Sequence, residues 1–376
     1  MKKTVVMLVS LVVLAMLVFT ACAPAAPEKV VETVVVEKQV EKEVEKVVEK
    51  TVVVKEEAAD PAAAAREALA GKKMAGILSG AVNDAGWNTQ AYMAMVGARD
   101  TFHLEIAYTE HVKVEDAPQV MRDYADAGYD IIFAHGYEYA DQIAQVAKEY
   151  PNLKFIQTNG STGDIPNLYT ITLSTGEGGY FMGRMACQTT KTGKITIIGA
   201  DEFPIWSHHI KMFKQACQDI GSKAEVTEVY IGSWNDPAKA KQLATAAVAA
   251  GSDVIVTNAD AGDTGTIEGV KEAYNKGNKD LRVISWVKDK NYLGPDFVIG
   301  GWTEDVTAEL LYILQDKIAT GAPGGHFAIG MKEHAAYMNP TYGLVPLNVE
   351  KDVVDLMDAY LKDPKAVPNL VVRTDL

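Results

Sequence analysis

The chain has 376 residues, 48% of them hydrophobic, which is ordinary for a globular protein and enough for one large or two medium domains with their own cores. Its formal net charge of −14 argues against nucleic acid, whose binding needs a basic face to displace counterions, and against a polybasic role at a membrane surface. The plain meaning of the charge is solubility outside the cell.

Lys2 and Lys3 precede an apolar run, Val5 to Phe19, that is too short and wrongly flanked for a stable spanning helix and reads as a secretory signal. The run ends in "FTAC", small residues directly before Cys22, then "APAAPEK". This resembles a bacterial lipobox, with Phe19 where an aliphatic residue is usual. It implies a signal peptide over residues 1–21 and lipidation at Cys22, which anchors a protein to a membrane without spanning it.

From Glu28 to Glu57, Val recurs every fourth residue at 36, 40, 44, 48 and 52 with Glu and Lys between. A spacing of four drifts around a helix and makes no heptad seam, so residues 22–71 read as a charged stalk, closed by an Ala-rich segment. A coiled-coil oligomerisation stalk is the alternative.

After Lys73 short apolar runs alternate with helical stretches. "MAGILSG", "DIIFAHG" and "KFIQTN" form one series with "TQAYMAMVGARDTF" and "YADQIAQVAKEY" between them. After "GEGGYFMGRMACQTT" a second series begins: "KITIIGA", "EVTEVYIG", "DVIVTNA", "LRVISWV" and "FVIGGW", the first three each followed by a helical stretch. Continuous apolar strands separated by helices mean parallel sheets covered on both faces. The expected fold is α/β, two Rossmann-like lobes with parallel sheets joined by a multi-segment hinge. Lobe 1 is expected over 72–175 and about 300–320, lobe 2 over 176–299 and about 321–376. Cys187 and Cys217 sit in apolar helical patterns and fit no metal spacing, so buried thiols are expected; an exported chain also permits a disulfide, and the sequence leaves the pairing open.

In open α/β sheets, ligands bind beyond the carboxyl ends of the strands. Here nearly every such loop pairs an aromatic with Asp, Asn or Glu: "NDAGWN", "YEYAD", "DEFPIWSHH", "SWNDP", "DAGDTG", "VKDKNY" and "WTED". Trp87, Trp206, Trp234 and Trp302 lie in these loops and Trp286 ends its strand. A flat ligand held between aromatic faces, with carboxylates and amides on its edge, explains exposed indoles in such places. Each residue also has a structural reading. Asp236 before Pro237 suits a helix N-cap, Asn88 or Thr89 suits the cap of the first helix, Asp260 and Asp263 suit the cap of theirs, and Tyr137 and Tyr139 suit a cover for the sheet end. Catalytic signatures are thin: no Gly-x-Ser-x-Gly elbow, no phosphate loop, no His-Glu-x-x-His. His208 and His209 are adjacent and make a poor metal pair. Neither an enzyme, a metal site nor a cofactor is expected.

Taken together, "NDAGWN", "GYEYADQIAQVAKEYPNLKF", "STGEGGYFMGRMA" and "IGSWNDPAKAKQLATAAVAAGSDVIVTNAD" resemble the basic membrane protein family of ABC-transporter receptors, which includes purine nucleoside receptors and adenine-binding relatives. The resemblance runs from Lys73 to about Leu347. It implies two lobes that close on a ligand, with a membrane permease and an ATPase as partners. It assigns Asp84 and Trp87 to a purine's edge and face, the loop from Phe203 to Trp206 to a second aromatic wall, and Asp260 to the ligand. Trp286 and Asp289 stand near the family's ribose-gripping acid. Nucleoside receptors carry a lysine after the strand matched by "FVIGGW"; this chain has Trp302, Glu304 and Asp305 there. A free base therefore fits better than a nucleoside. The expected ligand-binding set is Asp84, Trp87, Asn88, Tyr137, Phe203, Trp206, Trp234, Asp260, Trp286, Asp289, Trp302 and Glu304. A sugar or small-metabolite receptor and a ligand-sensing lipoprotein are the alternative functions.

Overall fold

The computed structural model describes residues 61–84, 86–160 and 163–373. The signal segment, Cys22 and most of the stalk lie outside the described residues. Helix α1 (Pro61–Leu69), which falls within the expected stalk, leads into the first strand, and its Ala65 and Leu69 are buried in the first core.

The first lobe alternates strand and helix: β1 (Lys73–Leu78), α2 (Trp87–Phe102), β2 (Glu105–Thr109), α3 (Ala117–Asp126), β3 (Ile131–His135), α4 (Ala140–Glu149), β4 (Lys154–Thr158) and β5 (Leu168–Leu173). The second repeats the pattern with α5 (Glu177–Thr189), β6 (Lys194–Gly199), α6 (Pro204–Asp219), β7 (Glu225–Tyr230), α7 (Pro237–Ala249), β8 (Val254–Asn258), α8 (Gly262–Asn275), β9 (Arg282–Ser285) and β10 (Val298–Glu304). The chain returns to the first lobe with α9 (Val306–Tyr312), runs on through a π-helical turn (Ile313–Ile318), and adds β11 (Gly325–Ile329). It then crosses again to β12 (Ala336–Met338) and α10 (Leu347–Lys362).

Two six-stranded sheets result, in the orders β11-β5-β4-β3-β1-β2 and β12-β10-β9-β8-β6-β7. The first is parallel throughout; in the second only β12 runs antiparallel, against β10. The central strands β3, β8 and β9 are buried almost end to end, which is why they read as unbroken apolar runs. Each sheet carries one apolar cluster on either face.

Three segments join the lobes, at Ser174–Gly176, at Asp305 and at 330–335. They are stitched where they pass: the Ser174 N–H donates to the Ile329 carbonyl at 2.7 Å and the Asp305 N–H to the Ala335 carbonyl at 2.7 Å. Buried Glu177 accepts from the Met331 N–H at 3.1 Å and from the Tyr360 hydroxyl at 2.7 Å, tying two crossings to α10. The lobe boundaries differ from those expected. β10 lies in the second sheet and β11 in the first, so residues 300–304 belong with lobe 2 and 325–329 with lobe 1. The reason is that β11, "GHFAI", is half-buried at the sheet edge and lacks a core strand's apolar run.

Cys187 on α5 and Cys217 on α6 form a disulfide, their Cα atoms 5.6 Å apart. This corrects the expectation of free thiols: α5 and α6 pack side by side and bring the two positions face to face.

Candidate functional site

Both sheets reverse direction between their first and third strands, β1/β3 in one and β6/β8 in the other. The loops after these strands open at the switch points, where α/β sheets take ligands. They carry Asp84 and Trp87, then His135, then Phe203 and Trp206, then Asp260.

The β1–α2 loop is organised by Asp84. One carboxylate oxygen accepts from the Gly86 N–H (2.8 Å), the Thr89 N–H (3.0 Å) and the Thr89 hydroxyl (2.9 Å); the other accepts from the Asn88 N–H (3.0 Å) and the Asn88 amide (2.9 Å). Burial opposes the ionised form, but these donors outweigh it and hold the carboxyl below its ordinary range. Asp84 therefore caps α2, the role expected of Asn88 or Thr89. Asn88 instead accepts the Gly80 N–H at 3.1 Å, closing the loop on the strand end. Both residues thus engage polar atoms within the loop itself.

Trp87, half-buried, stacks on the His135 ring with centroids 4.0 Å apart and planes at 29°. Its carbonyl lies 3.1 Å from His135 Nε2. A carbonyl only accepts, so Nε2 carries the proton and Nδ1 accepts from the Thr158 hydroxyl at 2.9 Å. Burial pushes the imidazole down to about 3, so His135 is neutral.

Asp260 reaches the start of α2 from the other lobe. Its backbone is left-handed (φ 48°), and its carboxyl lies against Gly86 at the start of α2. A Cβ on Gly86 would sit 2.2 Å from Asp260 Oδ1, so the contact requires glycine there. Burial, with Asp263 and Asp84 near, pushes the Asp260 carboxyl up to about 7 against the pull of Lys290. A hydrogen bond crosses the same gap, from Gln90 Nε2 to the Val287 carbonyl at 3.3 Å. Val287 is β-branched and holds φ 70°, a strained conformation kept by its surroundings. Beneath these loops Lys290 and Asp263 form a buried ion pair, with Asp263 also accepting from the Thr257 hydroxyl (2.6 Å) and the Ala259 N–H (2.8 Å). Asp263 is thus a core anion, not a cap for α8.

A second cluster stands on the hinge side of lobe 2. Trp206 and Trp286 meet edge to face at 5.0 Å, and His209 meets Trp286 at 5.1 Å. The Trp286 indole N–H donates to Glu304 Oε1 at 3.1 Å. His209 Nδ1 accepts from the Gly176 and Gly179 N–H groups, at 3.3 and 3.2 Å, so its Nε2 is the N–H. That Nε2 lies 3.7 Å from Glu304 Oε1, beyond hydrogen-bond reach. His209 Nε2, Trp206 Nε1 and, on α9, Glu309 Oε1 are all buried without a hydrogen-bond partner in the protein. Burial pushes the Glu304 carboxyl up to about 7, and burial beside Glu304 and Asp305 raises Glu309 well above its ordinary range.

The remaining expected residues divide. Phe203 and Trp234 pack on each other at 5.8 Å, with Trp234 partly exposed, at the end of β6 and β7. Tyr137 is 64% exposed, while the neighbouring Tyr139 is buried and donates to the Val112 carbonyl. Asp289 accepts from the Asn291 N–H at 2.9 Å and from the Tyr342 hydroxyl, on a loop of its own. Trp302 is buried against Gly178 of α5, where any Cβ would collide with the indole. Asp236 is the N-cap of α7 as expected, accepting the Lys239 N–H at 2.9 Å.

Sequence reasoning missed His135, His209, Lys290 and Glu309. His209 lies one helical turn from Trp206, so the two share a face; that spacing was the available signal. Lys290, in "VKDKNY", was the cation to set against a run of acidic loops. Among the described residues no acidic, His or Cys group is arranged to hold a metal ion, and no helix is long and apolar enough to cross a membrane.

The basic membrane protein A2 of Borrelia garinii subsp. bavariensis is 26% identical over 301 residues, spanning 79% of this chain and 88% of its own. A purine-binding protein of Brucella abortus is 29% identical over 229 residues, 60% of this chain and 62% of its own. Among solved structures, an ABC-transporter solute-binding protein from Aeropyrum pernix K1 superposes with a TM-score of 0.64 at 19% identity, covering 78% of this chain and 88% of the other. The family model for PnrA-like ABC-transporter substrate-binding proteins matches residues 72–362, and the chain belongs to that family.

Proposed function

We propose that the protein captures a purine base or nucleoside between its lobes and delivers it to an ABC permease and its ATPase. One observation carries the ligand reading: the Trp206–His209–Trp286–Glu304 cluster pairs aromatic faces with buried N–H groups that no protein atom satisfies. An unmet buried donor costs about 1–3 kcal/mol, a cost that a heterocycle with ring-nitrogen acceptors removes on binding. Glu304 is the complementary acceptor for an N–H edge, and Trp87 offers a further aromatic face from the first lobe. The purine-binding name of the Brucella abortus relative agrees with this chemistry. Stacking with two or three buried hydrogen bonds corresponds to about −8 to −12 kcal/mol, micromolar to nanomolar. The chain performs no chemistry on its ligand. Upstream, residues 1–21 direct export, and lipid on Cys22 with the stalk holds the receptor at the outer face of the membrane.

Mass spectrometry of ligand retained by the purified protein, then calorimetry with adenine, adenosine, guanosine and ribose, tests the reading. A purine is expected to bind; binding of ribose with no purine overturns it. Trp87→Ala should weaken purine binding by about 1–3 kcal/mol, the scale of a base stacked on an aromatic.

A further inference from the structure

Chain ends fray unless something ties them down, and here the tail after α10 is tied at every second residue. It follows α6 backwards, from its last turn to its first. Asn369 Nδ2 donates to Asp219 Oδ1 at 2.9 Å, and the Val371 N–H to Met212 Sδ at 3.3 Å. The Val371 carbonyl lies 2.7 Å from His208 Nε2, which must therefore be the donor. At Arg373 the tail reaches the first crossing between the lobes. Thr175 and Arg373 exchange both backbone hydrogen bonds at 3.0 Å, and the Thr175 hydroxyl adds a third at 2.9 Å. The next residue, Gly176, holds φ 113°. A Cβ there would sit 2.6 Å from the Val371 oxygen and 3.1 Å from His208 Nε2, so only glycine lets tail, crossing and α6 meet. The Gly176 N–H in turn donates to His209 Nδ1 at 3.3 Å, beside the Gly179 N–H at 3.2 Å. Two donors on Nδ1 leave the ring proton on Nε2. The adjacent histidines thus divide the work: His208 holds the tail, and His209 is held by the crossing that the tail holds.

We propose that the C-terminal tail is a strap that positions His209 for recognition, with His208 as its positioning residue. By fixing Thr175 and the start of α6, the strap keeps the Gly176 N–H on His209 Nδ1, and so keeps Nε2 a donor. That N–H is one of the two buried donors in the Trp206 cluster with no protein partner. A ring free to exchange tautomers would offer a ligand a donor part of the time and an acceptor the rest. The inference rests on that cluster being the place where ligand binds, but the tautomer it concerns is read without any ligand.

The test is nitrogen–proton correlation spectroscopy of the imidazoles in the mature protein with labelled histidine, at pH 7.5, with His209 assigned by its loss in His209→Gln. His209 is neutral there, because burial pushes it down to about 3. The intact chain should show one His209 tautomer, protonated on Nε2. A chain ending at Pro368, and His208→Ala with the tail present, should both show a mixture. His208→Gln keeps an N–H for the Val371 carbonyl and should restore the single form. Calorimetry with adenine and adenosine should follow the same order, the first two variants binding roughly three- to tenfold more weakly, the scale of one hydrogen bond. An unchanged single tautomer in both the shortened chain and His208→Ala overturns the strap, even if both unfold more easily, since the tail is then ordinary packing. A tautomer that mixes in His208→Ala and stays mixed in His208→Gln overturns the role of His208. If the tautomer responds as expected and purine affinity does not, the strap stands and the cluster is not the ligand site.

Discussion

The first-lobe loop around Asp84 and the second-lobe cluster around Trp206 are built from the same kinds of residue and do opposite things with them. Asp84 spends both carboxylate oxygens on five donors within five residues of itself. The Trp206 cluster leaves two N–H groups buried and unmet, and holds a carboxyl at a protonation balance near neutrality. A polar group whose bonds are complete in the folded chain contributes to stability. One whose bonds are incomplete lowers stability and is available for recognition. Removing Asp84 should therefore cost stability, and changing the Trp206 cluster should cost binding.

The largest effect should come from between them. Lys290→Met strands the buried Asp263 carboxylate without its cation and should cost about 3–5 kcal/mol in denaturant unfolding. Next, Asp84→Ala should cost about 2 kcal/mol, since it removes a cap and uncovers several N–H groups. Because its carboxyl is held below the ordinary range, that contribution is present above about pH 4. It is lost as pH falls through the folded value, and the variant's deficit should shrink in acid. In the second region, Glu304 must ionise to accept a ligand N–H fully. Purine affinity should rise from pH 6 to pH 8 by up to about tenfold per unit, and Glu304→Gln should flatten that profile in calorimetry. The smallest and sharpest case is Trp206→Phe. It deletes an unmet donor, so unfolding stability should change by less than about 1 kcal/mol or improve, while purine affinity falls. A large stability loss in that variant would erase the contrast between the two regions.

Much of the fold was legible because parallel strands buried on both faces must be apolar along their length, as "DIIFAHG" and "DVIVTNA" are. The lobe boundaries were less so, since β11 is a half-buried edge strand whose sequence does not announce which sheet it joins. In the site, position was readable and direction was not. Asp84 and Trp87 do lie beyond β1, but which donors a carboxylate meets depends on loop geometry that residue types do not specify. Trp302 read as a loop tip and is a core residue, because β10 runs on to Glu304 before crossing. The disulfide was out of reach for a similar reason: a sequence separation of 30 between its cysteines says nothing of how α5 and α6 align.

The threefold crossing has a consequence for how the chain acquires its shape. β5 is flanked by β11, which pairs Phe327 with Ile171, and β10 is flanked by β12. Neither half can finish its sheet until nearly the whole chain has left the ribosome and been exported, and until then β5 presents a bare hydrogen-bonding edge. Such distant pairings slow folding, because a long loop must close before any contact rewards it. The two halves of this receptor are thus interdependent in time as well as in space, and a fragment cut at residue 299 would carry neither half intact.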